Sequence, residues 1–493
     1  MTATHSIAID LGASSGRAML GSLEHGRLVL RELHRFPNNP RELPTGLHWD
    51  IEYLFGQVLQ SLRLARETGL ELSGIGIDTW GVDYGLLSPE RTLLADPHHY
   101  RDPRTHGLID AAARRMPLDQ IYSITGVQFM PLNTLYQLLA DQQDPRQLLT
   151  RAASLLFMPD LLNFRLCGVR QSEHTIASTS QLFDTGLLEW SDAIIEAMRL
   201  PRSLFPRTVP PGTVVGTLLP EVQSLTGLGA VPVIAPASHD TGSAVAAVPA
   251  VGDARDWAYI SSGTWSLVGR ELASPLRTAA ARAANFTNEC GVAGTIRFHK
   301  NVAGLWLLQE CLRAWSRDDV KHSFEQLIEL AAAAPAFTCS IDPDDPSFSG
   351  FGDMPAKIGE YCRRTSQPAP ADHGQYVRTV LESVALKSRI VLDSLEELTG
   401  PVKLVHLVGG GSLNPLLCQF TANAAGRPVL AGPVEATAAG NVLAQAMARG
   451  ELSSLADIRR VVARSFNLVR YEPADAPTWA RAADALRALI ARA

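Results

Sequence analysis

Asp240 is the residue with the clearest chemical potential in this chain. It sits in the stretch Ile234–Ser243, IAPASHDTGS, beside Ser238, His239 and Thr241. The apolar run Val231–Ile234 predicts a short buried strand, and the Ala-rich segment after Thr241 predicts a helix. A carboxylate at a strand-to-helix junction has its rotamer held and backbone N–H groups within reach, which suits a general base. The dipole of the following helix should favour the ionised form and lower the pKa. The other use of an Asp at such a place is an N-cap, which involves no chemistry. A second carboxylate, Asp10, ends the buried run His5–Ile9. After it, Leu11–Arg17 offers backbone N–H groups, two Ser hydroxyls and Arg17. Such a turn can cradle a phosphate. Asp78 ends another buried run, Ser73–Asp78, and Trp80–Asp83 (WGVD) follows it. Polar and aromatic residues at the end of a buried strand fit the ligand crevice of an open α/β sheet.

The elements that must hold these residues repeat. Three antiparallel strands are expected first, His5–Ile9, Ala18–Leu23 and Leu28–Leu33, with EHGR at 24–27 as the second hairpin turn. Asp50–Glu67 reads as an amphipathic helix. His98 and His99, in the loop 97–105, are adjacent and lack ligand spacing, so no metal is assigned to them. Short helices follow to about Leu200, and Pro201–Pro220 reads as loop and edge strand. Then the pattern restarts: strand Trp257–Ser261, turn SSGT, strand Trp265–Arg270. AYISSGTWSLVG lies over IAIDLGASSGRAML as an internal repeat about 250 residues apart. Two related domains, each opening on a Gly/Ser hairpin, are therefore expected. Lys300 and Asn301 precede a helix containing Gln309 and Glu310, and residues 372–399 form a long helix. Strand Lys403–Val408, the turn Gly409–Gly411 and a helix from Asn414 allow close backbone approach to a flat ligand or a phosphate. Neither the dinucleotide fingerprint, nor the P-loop, nor the protein-kinase set is present.

Length and composition exclude several classes. A chain of 493 residues with 46% hydrophobic and 19% charged residues is globular and expected to hold two or three domains. A net charge of −6 gives no footprint for nucleic acid. No apolar run approaches the ~20 residues of a membrane span, and MTATHSIAID has no basic leader, so a cytoplasmic protein is expected. The cysteines at 167, 290, 311, 339, 362 and 418 form no CxxC pair, which argues against zinc and for free buried thiols. The spacing leaves one bridge open, Cys339 to Cys362, tethering the loop IDPDDPSFSG.

Four stretches, Asp10–Arg17, Ile260–Gly269, Val408–Asn414 and Gly440–Met447, resemble motifs of one superfamily. They are the phosphate-1, phosphate-2, adenosine and second connecting motifs of the group that joins sugar kinases, heat-shock chaperone ATPases and actin. With GIDTWGVDYG at 76–85, ASHDTGSAV at 237–245, SSGTWSLVG at 261–269, KNVAGLWLLQE at 300–310 and AGPVEATAAGN at 431–441, the chain resembles the FGGY carbohydrate kinases over residues 6–470. The resemblance implies an α/β fold of two ribonuclease H-like (actin-like ATPase) domains with a ligand cleft between them. Residues 1–244 would bind sugar and phosphate, 245–470 nucleotide, and 471–493 would be a helical tail. It implies ATP and Mg²⁺ and phosphoryl transfer to the 1-hydroxyl of a ketose, L-rhamnulose. The alternatives are L-fuculose, xylulose or glycerol, or a non-catalytic sensor of the same fold. Sugar and ATP are the expected partners, with no nucleic acid or membrane, and the protein is expected as a monomer or homodimer.

By the same resemblance Asp240 is the base, and Gly81, His239, Asp240, Thr241 and Asn301 meet the sugar. Ala13, Ser14, Ser15, Gly16, Arg17, Thr264, Gln309 and Gly410 meet the nucleotide, and Asp10 lies near Mg²⁺ through water. Family members can carry a cysteine pair near residues 418–424; only Cys418 is present, so that bridge is absent. Lysines are confined to 300, 321, 357, 387 and 403, which leaves Arg17, backbone N–H groups and Mg²⁺ to neutralise phosphate.

Overall fold

Three antiparallel strands open the chain: β1 (Thr4–Leu11), β2 (Ser15–Glu24) and β3 (Arg27–Pro37). The computed structural model describes residues 3–250, 252, 254–316 and 322–492. His25 and Gly26 turn β2 into β3 with φ of 49° and 71°, as a type I′ hairpin requires. Asp50 caps α1 (Ile51–Glu67), accepting from Tyr53 N at 2.9 Å, and Ile51, Leu54, Phe55, Val58, Leu62 and Ala65 form its buried stripe. β4 (Leu72–Thr79), β5 (Thr213–Thr217) and β6 (Pro232–Ala235) complete a sheet of order β5-β6-β4-β1-β2-β3. β5 is the edge strand expected of the Pro-rich segment. β1, β4 and β6 are parallel neighbours, and their register sets Asp10 opposite Asp78. Three adjacent parallel strands thus lead to Asp10, to Asp78, and to the turn before α2 (Asp240–Ala246). Between β4 and β5 a helical region has its own core around Tyr136, Phe157, Phe183 and Trp190.

The second sheet repeats the plan. β7 (Trp257–Ser262), β8 (Trp265–Leu272), β9 (Thr287–Cys290), β10 (Ile296–Ala303), β11 (Leu404–Val408), β12 (Val429–Ala431) and β13 (Val469–Tyr471) run in the order β9-β10-β8-β7-β11-β12-β13. β7 pairs antiparallel with β8 and parallel with β11, as β1 does with β2 and β4. The repeat read from the letters is therefore a repeat of topology. Helices that follow β10 in the chain include α3 (Trp306–Trp315), α4 (His373–Thr399), α5 (Pro415–Ala425), α6 (Ala436–Ala448), α7 (Leu455–Ser465) and α8 (Ala476–Ile490).

The division of the chain differs from the contiguous one expected. One compact unit comprises Met1–Val251, Glu271–Phe298 and Ala436–Ser465; the other comprises Gly252–Arg270, His299–Glu435 and Phe466–Ala493. The cause lies in α6, which is laid on the first sheet. Gln445 Nε2 donates to Ile7 O at 3.1 Å. A Cβ on Gly76 would stand 2.3 Å from Asn441 Oδ1, and one on Gly440 would stand 1.8 Å from Ser243 O, so both positions need glycine for the helix to seat. Residues 471–493 are not a separate tail either: Trp479, Ala483 and Leu486 of α8 join the core formed by α4 and α5. All six cysteines are free and buried, so the bridge from Cys339 to Cys362 is not formed. A hydrogen bond from Cys362 instead draws Cys339 below the ordinary thiol range. Among the described residues no helix is long and apolar enough to cross a membrane.

Candidate active site

The turn between β6 and α2 is pinned before it reaches Asp240. Thr79 N donates to Ser238 O at 2.9 Å, Ser238 N to Glu173 Oε2 at 3.0 Å, and His239 N to Thr175 Oγ1 at 3.1 Å. Glu173 is fully buried, and burial pushes its pKa up to about 7 against four opposing hydrogen bonds. The N-cap position falls to His239, so Asp240 is the first helical residue and not a cap. Its Oδ1 accepts from Thr241 N at 2.5 Å and Thr241 Oγ1 at 3.1 Å, and lies 3.3 Å from His239 Nε2. Among the described residues no hydrogen bond or ion pair engages Oδ2, and 28% of the side chain is exposed. One oxygen is anchored and the other faces outward, which is the arrangement a base needs. The direction of its pKa corrects the sequence expectation. Burial raises it, with Asp10 adding to the rise, while His239 and the Thr241 hydrogen bonds only partly offset it. The dipole of a seven-residue helix does not outweigh removal of the carboxylate from water.

Asp10 and Arg17 form an ion pair at 2.8 Å across the first hairpin, where the register also sets them opposite one another. Below them Asp78 is fully buried. Asn441 Nδ2 of α6 donates to its Oδ2 at 2.6 Å, and among the described residues Oδ1 has no hydrogen-bond partner. Burial drives the Asp78 pKa well above the carboxylate range, with Asp10 and Asp240 adding to the rise and Asn441 opposing it. Three carboxylates thus gather past the C-terminal ends of neighbouring parallel strands. The turn holding Ala13, Ser14, Ser15 and Gly16 is closed by Gly12 N donating to Ser15 O at 3.0 Å. Asn38 occupies its carbonyls: Nδ2 donates to Gly12 O at 2.8 Å and N to Ser14 O at 3.1 Å.

Gly81 lies in a strained segment. Asp83 N donates to Gly81 O at 2.9 Å across Val82, whose φ is 69°. This is a γ-turn with a left-handed β-branched residue at its centre, a conformation kept only where the surroundings over-determine it. They do. Val82 N donates to Thr179 Oγ1 at 3.1 Å, and Thr134 Oγ1 donates to Val82 O at 2.7 Å. The Asp83 carboxylate accepts from Trp49 Nε1 at 2.6 Å, Trp80 Nε1 at 3.0 Å, Tyr100 N at 3.1 Å and Gln137 Nε2 at 2.8 Å. Burial lifts its pKa to about 6 against those donors.

The remaining expected residues lie in the second unit. Thr264 Oγ1 donates to Gln309 Oε1 at 3.2 Å, tying the second Gly/Ser turn to α3. Gly409, with φ of 85°, and Gly411 pack on Ser262: a Cβ on Gly411 would stand 2.1 Å from Ser262 Oγ. Gly410, between them, has open space around its Cα. Asn301 lies on β10, three residues before the loop into α3. His98, Asp141 and Asp144 bring ligand atoms within 4.8 Å of one another. Arg104 and Arg146 already hold both carboxylates, which makes this a salt-bridged cluster. Glu173, Glu289, Arg297, Asn441 and the γ-turn were not found by reading the sequence. Asp78 and Asp83 carried a signal, since each stands at the end of a buried run or in the WGVD segment.

Comparison with known proteins follows the same outline. Residues 5–247 match the N-terminal domain of the FGGY family of carbohydrate kinases, and residues 258–449 its C-terminal domain. The chain is 47% identical over 473 residues to a rhamnulokinase of Bacteroides thetaiotaomicron, covering 96% of each. It is 39% identical over 469 residues to a rhamnulokinase of Bacillus subtilis, covering 95% of each. Among solved structures a ligand-bound xylulose kinase from Lactobacillus acidophilus superposes with a TM-score of 0.80 at 16% identity, over 99% of this chain and 97% of that one. Plasmodium falciparum glycerol kinase with ADP gives 0.77 at 14% identity, over 99% and 98%. At those identities the likeness establishes the two-domain actin-like ATPase fold.

Proposed function

Given that this chain belongs to the FGGY family of carbohydrate kinases, we propose that it transfers the γ-phosphoryl group of ATP to the 1-hydroxyl of L-rhamnulose. The products are L-rhamnulose 1-phosphate and ADP. The observation that carries the choice of sugar is likeness over nearly the whole chain, at 39–47% identity, to relatives named rhamnulokinase. Structures named for xylulose, gluconate and glycerol kinases share only 14–19%.

Asp240 is the base. Its Oδ1 is held by Thr241 and faces His239 Nε2 at 3.3 Å, which leaves Oδ2 for the sugar hydroxyl. A loose phosphoryl-transfer transition state needs the hydroxyl oriented first and deprotonated late. The raised pKa serves the late step, because a carboxylate nearer the working pH is the better proton acceptor. His239, Thr241, Gly81 and Asn301 contact the sugar. Ala13, Ser14, Ser15, Gly16 and Arg17 receive the phosphates, and Thr264, Gln309 and Gly410 the rest of the nucleotide. The Asp10 carboxylate is a hard oxygen donor of the kind that suits Mg²⁺, which it would hold through water. When bound, the ion neutralises phosphate charge.

An ADP-release assay across ketoses, polyols and the parent aldose tests the assignment. A site that pairs each hydroxyl rejects analogues lacking one by ~10⁴-fold or more, so kcat/KM for L-rhamnulose should exceed that for L-rhamnose on this scale. Comparable values on the aldose, or a higher value on D-xylulose or glycerol, would overturn it.

A further inference from the structure

Behind His239 lies a buried ion pair that the reaction as written does not use. Glu289 on β9 is 4% exposed and Arg297 on β10 is 0% exposed. Both belong to the segment Glu271–Phe298 that groups with the first unit. Arg297 Nη2 stands 3.0 Å from Glu289 Oε2 and 3.1 Å from His239 Nδ1, and Arg297 Nε donates to Cys290 O at 2.9 Å. Glu289 Oε2 is itself 3.2 Å from His239 Nδ1. A buried ion pair is weak evidence of stabilisation, because well-packed apolar side chains of similar volume often serve as well. Its place against the imidazole is the informative feature.

We propose that Arg297, held by Glu289, is a positioning residue that fixes the tautomer of His239 and, through it, the orientation of the Asp240 carboxylate. The inference rests on the reading of Asp240 as the base. A guanidinium only donates. With Arg297 Nη2–H directed at Nδ1, that nitrogen must present its lone pair, and the ring proton resides on Nε2. Nε2 is the atom 3.3 Å from Asp240 Oδ1. The ring N–H therefore faces the carboxylate oxygen that Thr241 also holds, an attractive contact at that distance, and Oδ2 is left for the hydroxyl. Glu289 has two parts in this. It anchors the guanidinium, and it is the competitor for Nδ1. Glu289 Oε2 already lies within 3.2 Å of Nδ1, so without the Arg297 donor there the carboxylate would draw the ring proton to Nδ1. The Nε2 lone pair would then face Asp240 Oδ1, replacing an attractive contact by repulsion. The base would keep its Thr241 contacts and lose its lateral support.

The test is a ¹⁵N spectrum of histidine-labelled protein, with the His239 signals assigned by their loss in His239→Gln. The expected result is a neutral ring, protonated at Nε2 and unprotonated at Nδ1. A proton on Nδ1, in the neutral or the cationic ring, overturns the proposal using the wild-type protein alone. Arg297→Met should move the proton to Nδ1 and lower kcat on L-rhamnulose on the order of 10- to 100-fold, the scale of a misplaced catalytic group, with KM for ATP within about twofold. Arg297→Lys, which restores a donor, should recover part of kcat. In the His239→Gln background Arg297→Met should add less than about a twofold loss, because its effect passes through the ring. Full additivity would mean a merely structural role and would overturn the proposal. Asp240→Asn separates the two readings. If it retains turnover, the base assignment fails. If it loses turnover while Arg297→Met alters neither tautomer nor kcat, the positioning role alone fails.

Discussion

In the first unit the glycine of the Gly/Ser turn, Gly12, donates across the turn to Ser15 O at 3.0 Å; in the second, Gly263 donates to Trp265 O at 2.8 Å. Both turns have their carbonyls occupied. Asn38 takes those of Gly12 and Ser14, while Leu305 N takes Gly263 O, and Gly304 N and Trp306 N take Thr264 O. Tying the carbonyls back keeps negative dipoles away from an incoming phosphate and leaves the turn to present donors. The strand ends beneath the turns differ. The first copy ends on Asp10, paired in register with Asp78, and adds Arg17. The corresponding register in the second copy is Ser261 with Val408. One backbone device for anions is thus used twice, and only one copy carries charges that can handle a metal ion and a proton. On the proposed function, the duplicated part of the fold would serve binding, and the part that diverged would serve chemistry.

The comparison breaks most decisively at Asp240. Asp240→Asn should lower kcat by ~10²–10⁴-fold, the span for a positioned acid or base, with sugar binding and melting temperature little changed; near-wild-type turnover would remove the chemistry from the first unit. Next, Asp10→Asn and Ser261→Ala probe equivalent places. The first should cost on the order of 10²-fold in kcat, as loss of a charge-stabilising group does, and the second no more than about fivefold, the worth of one hydrogen bond. Similar losses in both would erase the division of labour. The pH profile of kcat/KM sharpens it further. Because burial raises the Asp240 pKa, the protonated, inactive form accumulates at higher pH than for an ordinary Asp, so the acid limb should lie above the ordinary Asp position and fall about tenfold per pH unit below it. By the same sign, proton binding to Asp240 favours the folded state at low pH, and that contribution is lost as pH rises through the raised pKa. A limb at or below the ordinary Asp position would contradict the burial argument. The smallest effect belongs to the neutral turn: Thr264→Val removes the hydrogen bond to Gln309 and should raise KM for ATP by about fivefold with kcat nearly constant. A large fall in kcat there would show that the second turn also takes part in the chemical step.

Reading the sequence located both hairpins, Asp10, Asp78 and Asp240, because each lies at the end of a short apolar run whose strand character is local. It could not locate Glu289 and Arg297, which reach His239 from about 50 residues downstream and look like ordinary strand polar residues. The sign of the Asp240 shift was missed because a helix terminus is visible in the letters and burial is not. The γ-turn at Val82 was also hidden, since a β-branched residue gives no hint of a positive φ. The compact units cut across the expected boundary for a related reason. Gly440–Met447 was seen as a motif, but nothing local says that it returns to the first sheet.

That return has a consequence for synthesis on the ribosome. Chains fold largely as domains in the order they emerge, N-terminal first. Here Asp78 must wait for Asn441 to be translated before its buried carboxylate has the amide it is bonded to. Until then the face of β1 and β4 that α6 covers, with Gly74 and Gly76 at its centre, stands open. The nascent first 250 residues are therefore a half-closed sheet, dependent on a helix still nearly two hundred codons away, and a stop codon anywhere in between should release a chain destined for chaperone or protease.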